Sequence, residues 1–367
     1  MSDDSISRLM SGTTWSEFCD TLKMAGDIIM RKTSPTDPLD RAEGFRYLSR
    51  VMRVIVEAFV ENADPRAPVL FRAAHETAKM GADNPDNYYQ YASISGGYEY
   101  RLRGTRGTIA YLGFGTYKGN YGIGGGTGET GYLDARDMAI SPDGTFEVIL
   151  SSRKTPGNWL PMTAETSSLI IRQTFADRAR ELIADITIER IGGDGMPTPV
   201  TPEGIEQGLT MASKIVLGAV TMFANWAESF MKHTNRLPQF DPAVSLAAMG
   251  DPNICYYHSY WKLADDEALV IDVTPPECEA WNFQLDNHWM ESLDYRYYPV
   301  WVNKHTAKYR ADGSVRIVVA HRNPGVDNWI DTVGHRQGTM LFRWIRAAEH
   351  PQPETRVVKA TAVRDLP

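Results

Sequence analysis

The sequence contains two similar stretches that decide its fold, Asp143-Gly-Thr-Phe-Glu-Val-Ile-Leu-Ser-Ser-Arg153 and Asp312-Gly-Ser-Val-Arg-Ile-Val-Val-Ala-His-Arg322. Each stretch is followed by a turn rich in proline and glycine and then by an Asn-Trp pair, at Asn158-Trp159 and Asn328-Trp329. Each copy then reaches an apolar run that ends in an arginine, Arg172 in the first and Arg343 in the second. The same order of features, found twice, indicates a duplicated structural unit.

The fold class follows from the patterns inside and around these copies. Both stretches alternate apolar and polar side chains, which is typical of half-buried strands, and the Asp-Gly pairs suit turns that need a positive φ. Two such units predict tandem, related antiparallel β-sandwich or jelly-roll-like units. Apolar residues spaced three and four apart between Phe45 and Phe59 predict N-terminal helices, and a long central amphipathic helix begins at Thr201. The chain is therefore predicted to be mainly β with helices.

Runs of glycine and proline, above all between Ile191 and Thr201, suggest where the segments meet. We expect five segments. They are an N-terminal helical region (1–92), a first β unit (93–191), a linker and long helix (192–253), a second β unit (254–346) and a tail (347–367).

Three further stretches carry a resemblance to a known family. They are Asp83-Asn-Pro-Asp-Asn-Tyr-Tyr-Gln90, Gly157-Asn-Trp-Leu-Pro161, and Asn328-Trp-Ile through Arg343-Trp344. In these stretches the chain resembles the bacterial "domain of unknown function 1214" family, over most of its length from Arg41 to Arg346. The resemblance implies a jelly-roll-like β fold. It implies no established activity, so no catalytic residue is carried over from it.

Composition argues against several classes of partner. The net charge is -8 and the 38 lysines and arginines are spread out, so we expect no nucleic-acid partner. The three cysteines lack Cys-x-x-Cys spacing, which predicts reduced thiols in a cytoplasmic protein rather than a disulfide framework or a zinc site. The chain has no run of about 18 apolar residues, so no membrane partner is expected.

The duplication also serves as an internal comparison, because features present in both copies favour a structural role and features of one copy favour a functional role. The tryptophans and arginines of the repeat are present in both copies and are interpreted as structural: Trp159, Trp329, Arg172 and Arg343. His321 corresponds to Ser152, and its strand face carries apolar residues. His321 is therefore either a packed core histidine or a catalytic acid/base.

The second copy contains three more candidate catalytic residues. Asp286 and His288 stand two apart on a predicted strand and could form a carboxylate-oriented base, although polar residues on an outward sheet face are the plainer reading. His335 lies in a predicted loop, where functional sites are common, and a solvated side chain is the alternative there.

Aromatic residues nearby are suited to stacking on a flat substrate or a sugar. The candidate substrate-binding residues are Tyr257, His258, Trp261 and Trp289. No His-x-His or His-x-x-x-His spacing occurs, so no metal is expected. Gly126-Thr-Gly-Glu-Thr-Gly131 matches a dinucleotide fingerprint but leads into a predicted hairpin, so we expect no cofactor and interpret Lys118–Gly131 as a mobile loop.

These features favour a cofactor-independent enzyme, a lyase, isomerase or hydrolase, that acts on a hydrophobic or aromatic hydroxylated small molecule by histidine acid/base chemistry. One alternative is a noncatalytic glycan- or lipid-binding sandwich, and another is a structural protein that forms a homo-oligomer. Polar groups that converge in a closed pocket would favour the enzyme. A shallow aromatic groove would favour the binding protein, and a large flat apolar face would favour assembly.

Overall fold

The computed structural model describes residues 3–121 and 127–367. Eight strands form the first β unit: β1 (Asn87–Ser93), β2 (Tyr100–Thr105), β3 (Tyr111–Lys118), β4 (Gly128–Asp134), β5 (Thr145–Ser151), β6 (Trp159–Pro161), β7 (Thr166–Thr174) and β8 (Asp185–Arg190). Eight strands form the second unit: β9 (Ile254–Lys262), β10 (Glu267–Val273), β11 (Ala280–Leu285), β12 (Trp301–Asn303), β13 (Val315–Ala320), β14 (Trp329–Asp331), β15 (Gln337–Ile345) and β16 (Glu354–Lys359).

The two units have the same topology. The sheets of the first unit run β4-β3-β7-β1 and β6-β5-β2-β8, and those of the second run β12-β11-β15-β9 and β14-β13-β10-β16. Neighbouring strands are antiparallel in both units, except that β5 is parallel to β6 and β13 is parallel to β14. Each strand of the second unit thus has its counterpart eight strands earlier. The prediction of a mainly β chain with two related units and a long central helix is confirmed.

Each unit buries an apolar core between its two sheets. In the first unit this core combines side chains of both sheets, such as Leu102 on β2 and Phe114 on β3. In the second unit, Ile271 on β10 and Phe283 on β11 meet in the same way. The alternation of apolar side chains along each strand places them on one face, and burial of that face is the main stabilising contribution.

The repeated Asp-Gly pairs make the same turn in both units. The Asp143 carboxylate accepts hydrogen bonds from the amide and hydroxyl of Thr145, at 3.0 and 2.7 Å. The Asp312 carboxylate accepts the equivalent pair from Ser314, at 2.9 and 2.7 Å. The glycine after each aspartate has a φ of +84° or +82°, a conformation that side chains disfavour. These residues recur because the turn requires them.

The repeated Asn-Trp pairs also have a structural role. The side-chain amides of Asn158 and Asn328 each donate to a carbonyl of the strand that precedes them, β5 or β13, both at 2.9 Å. The indole N–H groups of Trp159 and Trp329 donate to the carbonyl of the last residue of the same strands, at 3.2 and 2.9 Å. These bonds fasten the short parallel strands β6 and β14 to their neighbours.

In the described part of the chain, five α-helices surround the two sandwiches: α1 (Asp3–Met10), α2 (Thr13–Met30), α3 (Pro38–Val56), α4 (Pro202–Phe230) and α5 (Pro242–Leu246). A π-helical turn, Glu57–Glu61, continues α3. Helix α4 starts where the Thr201 hydroxyl accepts a hydrogen bond from the Gly204 amide at 3.0 Å, with Pro202 in its first turn. It packs on α2 and α3 and also touches β9 and β15 of the second unit.

Within the described residues, one helical segment, Pro202–His233, is long and apolar enough to cross a membrane by length and composition alone. Its buried side chains, including Val216 and Val220, pack in a core shared with α2 and α3. The core helix of a soluble protein can have the same length and apolar composition, so the finding is weak evidence for a membrane span.

Two expected boundaries differ from the structure. The sequence predicts a tail over 347–367, but β16 lies in this segment and pairs with β10 from Glu267 to Asp272. The prediction failed because β16 is an edge strand with charged residues, which weakens its apolar alternation. The first unit begins with β1 at Asn87 rather than at residue 93. The expected mobile loop, Lys118–Gly131, overlaps the end of β3 at Lys118 and the start of β4 from Gly128. Its residues 122–126 lie outside the described residues.

Candidate functional site

A cavity of about 200 Å³ lies between the two β units, under helices α3 and α4. Its walls include six residues from β1 and β7 and five from β9 and β15. Those of the first unit are Asn87, Tyr89, Gln90, Tyr91, Ile170 and Arg172, and those of the second are Ile254, Tyr256, His258, Leu341 and Arg343. Each unit therefore lines the cavity with an equivalent pair of strands.

The strand registers show that most of these wall residues are equivalent pairs. Tyr89 stands opposite Arg172 across β1 and β7, as Tyr256 stands opposite Arg343 across β9 and β15. In the same way, Tyr91 is paired with Ile170 and His258 with Leu341. The duplication thus surrounds the cavity with two similar arrangements. They differ at His258, which corresponds to Tyr91, and at Ile254, which corresponds to Asn87.

Each of the two arginines donates a hydrogen bond to the segment that precedes the other unit. Arg172 donates to the main-chain carbonyl of Met249, which precedes the second unit. Arg343 donates to the main-chain carbonyl of Ala82, which precedes the first unit, at 2.5 Å. Ala82 and Met249 both have positive φ, 57° and 62°, which is uncommon for residues other than glycine. The arginines therefore hold two equivalent loops in an otherwise disfavoured conformation.

Each of the two loops also makes an equivalent hydrogen bond to a tyrosine of its own unit. The Tyr89 hydroxyl accepts a hydrogen bond from the Asn84 amide at 3.2 Å, and the Tyr256 hydroxyl accepts one from the Asp251 amide at 3.2 Å. Asn84 and Asp251 each precede a proline. The repeat therefore extends upstream of the first strand of each unit, well before the Asp-Gly turns at Asp143 and Asp312.

The remaining partners of the two arginines are uncharged. Arg172 also donates to the Tyr117 hydroxyl at 2.9 Å. Arg343 also donates to the side-chain oxygens of Asn282, at 3.2 Å, and of Gln284. Among the described residues, neither guanidinium forms an ion pair with a carboxylate. Asp251 attracts Arg172 at longer range, but its carboxylate accepts a hydrogen bond from the Tyr111 hydroxyl at 2.8 Å.

Both guanidinium groups are nevertheless removed from bulk water, since Arg172 is 8% and Arg343 is 3% exposed. An arginine keeps its charge in such a place. Burial of charge is costly without a counterion. Asp251 attracts Arg172 and Asp286 attracts Arg343, but neither carboxylate forms a contact ion pair with its arginine. Among the described residues, the cavity lining contains these two arginines and one carboxylate, Asp83, which accepts hydrogen bonds from Ser292. The lining therefore carries a net positive charge, which suits an anion.

The opposite wall of the cavity is apolar. It includes Val54 and Ile55 from α3, Ala58 and Phe59 from the π-helical turn, and Ile215, Phe223 and Trp226 from α4. A π-helical turn is rare and often occurs at functional sites. Together the walls offer cationic groups on one side and aromatic and aliphatic groups on the other, which suits a small amphipathic anion.

His258 lies in this cavity among aromatic rings and is 6% exposed. Its ring stacks on Phe230 at 5.3 Å and on Tyr256 at 5.7 Å. Its Nδ1 atom is buried and has no hydrogen-bond partner among the described residues. Burial, assisted by the charge of Arg343, lowers the pKa of His258 to about 3, so the imidazole is neutral near pH 7.

The three predicted catalytic histidines do not line this cavity. His288 is buried, with Nδ1 3.0 Å from the Tyr260 hydroxyl. His321 and His335 meet at one residue, Thr332. The Nδ1 atom of His321 is 2.8 Å from the Thr332 hydroxyl, and that of His335 is 3.1 Å from the Thr332 carbonyl. Two of the predicted histidines are thus brought together, but away from the cavity.

The expected pairing of Asp286 with His288 is not found. Strand β11 ends at Leu285, so the alternation that would place the two side chains on one face stops before them. The Asp286 carboxylate instead accepts hydrogen bonds from Gln284 at 2.5 Å and from Thr339 at 3.3 Å. Burial raises the pKa of Asp286 to about 7.

Of the four predicted substrate-binding residues, His258 lines the cavity and the other three are packed elsewhere. Tyr257, Trp261 and Trp289 are fully buried, and each donates its polar hydrogen to a main-chain carbonyl. Tyr257 and Trp261 point to the other side of β9 from His258, since side chains alternate along a strand. These three aromatics cannot form an exposed stacking platform for a glycan.

The arginines were missed as site residues because their presence in both copies was interpreted as structural. The interpretation is partly right, since both arginines hold a loop. A site between two equivalent units can, however, be built from shared residues. Within residues 3–121 and 127–367, no group of three or more histidine, cysteine or acidic side chains is arranged to hold a metal ion.

The chain is similar to one family model and to solved structures of other proteins. The model of a family described as "Protein of unknown function (DUF1214)" matches residues 268–349. An uncharacterized protein from Burkholderia cenocepacia is 53% identical, with a TM-score of 0.95, over 97% of this chain and 99% of that chain. The VPA0106 protein from Vibrio parahaemolyticus is 12% identical, with a TM-score of 0.48, over 92% of this chain and 100% of that chain.

No curated protein matches the chain. The family model covers strands of the second unit, which contains one of the two copies described above. The relative from Burkholderia cenocepacia extends the match to almost the whole chain at more than half identity. The chain therefore belongs to the DUF1214 family, whose function is unknown.

Proposed function

We propose that this protein binds a small carboxylic acid with an apolar body in the cavity between its two β units. The observation that carries the proposal is the pair of buried arginines, Arg172 and Arg343, which line one cavity and have no carboxylate partner among the described residues. A bound carboxylate would supply the missing counterion through short, charge-assisted hydrogen bonds. The arginine fork matches a carboxylate better than it matches a neutral ligand.

The volume of the cavity limits the size of the ligand. A dry protein cavity of about 150 Å³ holds a benzene molecule. The cavity here, about 200 Å³, suits one aromatic ring with a carboxylate attached. Phe223, Trp226 and Tyr121 offer ring faces and edges for contact with such a ring. A single-ring aromatic acid is therefore the ligand class that the walls favour.

Histidine acid/base chemistry in the same cavity is a second candidate, because His258 lines it with an unpartnered ring nitrogen. A base is most effective when its pKa is near the working pH. The pKa of His258 is lowered to about 3 in the empty cavity, which makes it a weak base there. An anion bound beside it would raise that pKa. Binding is therefore the better supported proposal, and turnover would require the ligand first.

The proposal is tested by isothermal titration calorimetry with benzoate and with its neutral analogue benzamide. We expect benzoate to bind and benzamide to bind at least about tenfold more weakly, because hydrogen bonds to a charged group are worth about 1.5–3 kcal/mol. Arg343→Met should weaken benzoate binding by a similar factor. The matched control is Arg316→Met, since Arg316 pairs with Asp272 at 2.7 Å on the other sheet of the second unit.

Arg343→Met also removes a bond to Ala82, so this variant could lose stability as well as affinity. Ala58→Leu offers an independent test, because Ala58 lines the apolar wall and the larger side chain would fill part of the cavity. We expect it to abolish benzoate binding in a folded protein. Equal binding of benzoate and benzamide, or unchanged binding in Ala58→Leu, would contradict the proposal.

A further inference from the structure

The two halves of the cavity are similar, and the equivalent strand residues that line them differ in chemistry at two pairs, one of which is Asn87 and Ile254. Tyr89 matches Tyr256, Arg172 matches Arg343, and the aliphatic Ile170 matches Leu341. Tyr91 of the first unit, by contrast, is matched by His258 of the second. A ligand held only by the shared residues would have no preferred direction between the units. His258 gives the cavity a direction, as does the difference between Asn87 and Ile254.

The ring of His258 has an unused hydrogen-bonding group. A neutral imidazole has one N–H donor and one acceptor nitrogen. The neighbours of the ring are mainly aromatic faces and edges, from Phe230, Phe240 and Trp226, which offer no conventional partner. The buried Nδ1 atom has no hydrogen-bond partner among the described residues. A buried polar atom left without a partner is costly, and it usually indicates a missing ligand or water.

The protonation state of His258 limits which group of a ligand it can bind. Burial, and secondly the charge of Arg343, lower the pKa of His258, so the ring is neutral near pH 7. A neutral imidazole does not attract a second carboxylate, but it pairs well with a hydroxyl, which can donate or accept. The arginines and the histidine therefore recognise different groups of one ligand.

We infer that the cavity selects hydroxylated aromatic acids, with the carboxylate at Arg172 and Arg343 and the hydroxyl hydrogen-bonded to His258. This inference rests on the proposed function and adds the substrate class. It also assigns to His258 the role of a specificity-determining residue. The same cavity would bind an acid without a hydroxyl less tightly, because His258 would then stay unpaired.

The test compares the affinities of 2-, 3- and 4-hydroxybenzoate with that of benzoate by isothermal titration calorimetry. We expect at least one isomer to bind about fivefold or more tightly than benzoate, the gain of one neutral hydrogen bond. In His258→Phe, the ratio of the two affinities should fall to about one. The control is His305→Phe, since His305 is an exposed residue paired with Asp177, outside the cavity, and should keep the wild-type ratio.

A second measurement uses the wild-type protein, in case His258→Phe does not fold. The ¹⁵N chemical shifts of the His258 ring should change with the preferred hydroxybenzoate and stay nearly constant with benzoate. Equal affinities of all four acids, a ratio that persists in His258→Phe, or the same ¹⁵N shifts with both ligands would each overturn the inference and leave the proposed function standing. Failure of every acid to bind would overturn the proposed function itself.

Discussion

At the scale of single residues, Arg172 and Arg343 have a structural role and are also proposed to bind a ligand. Each arginine fastens a loop of the opposite unit and also lines the shared cavity. From the sequence alone, presence in both copies favoured the structural role. The proposed binding role could not be derived, because it depends on how the two units face each other. Residues present in one copy only, such as His321, were predicted as catalytic candidates but lie away from the cavity.

Asp286 allows a direct test of the electrostatics in the second unit. Burial raises its pKa to about 7, well above the ordinary value for aspartate of about 3.9. The folded protein therefore keeps a proton that the unfolded chain has already released. Its contribution to stability is fully present below about pH 4 and is lost as the pH rises through about 7.

We expect Asp286→Asn to flatten the dependence of stability on pH between about pH 4.5 and 7.5. Chemical denaturation at several pH values measures this slope. Glu291, whose pKa burial also raises to about 7, should keep part of the dependence in the variant. Asp265→Asn, at an exposed position, is the control and should keep the wild-type slope. An identical slope in wild type and Asp286→Asn would show that Asp286 is ionised in the fold.

At the scale of elements, the features predicted well are those determined by local chemistry. Asp143 and Asp312 make the same turn because an aspartate followed by glycine satisfies the turn locally. Strand β16 was missed because its position at the sheet edge leaves little apolar alternation to detect. The pairing of Asp286 with His288 failed because the end of a strand is set by tertiary contacts, which a repeating pattern does not reveal.

One substitution and its control can test whether β16 and the turn after it are packed as part of the second unit. Val363, in the turn, is 2% exposed and packs against β10, whereas Val357, on β16, is 39% exposed. We expect Val363→Asp to lower the melting temperature strongly, because burial of an unpaired charge is costly. Val357→Asp should cause a small change. Similar melting temperatures for the two variants would mean that residues 347–367 behave as a tail.

At the scale of the whole molecule, the cavity arises from the duplication itself. Two copies of one sandwich face each other through β1 and β7 and through β9 and β15, and helix α4 covers the junction. The fold of each copy was predictable from its own sequence. The cavity was not, because its walls join residues as distant as Ala82 and Arg343, and no local pattern records that contact.

The central claim is that the two arginines hold a carboxylate between the units. A crystal structure of the protein with saturating benzoate tests it most directly. We expect the ring against Phe223 and Trp226, with carboxylate oxygens within hydrogen-bond distance of the guanidinium groups of Arg172 and Arg343. A structure in which the cavity holds only water, or in which the carboxylate points away from both arginines, would contradict the claim.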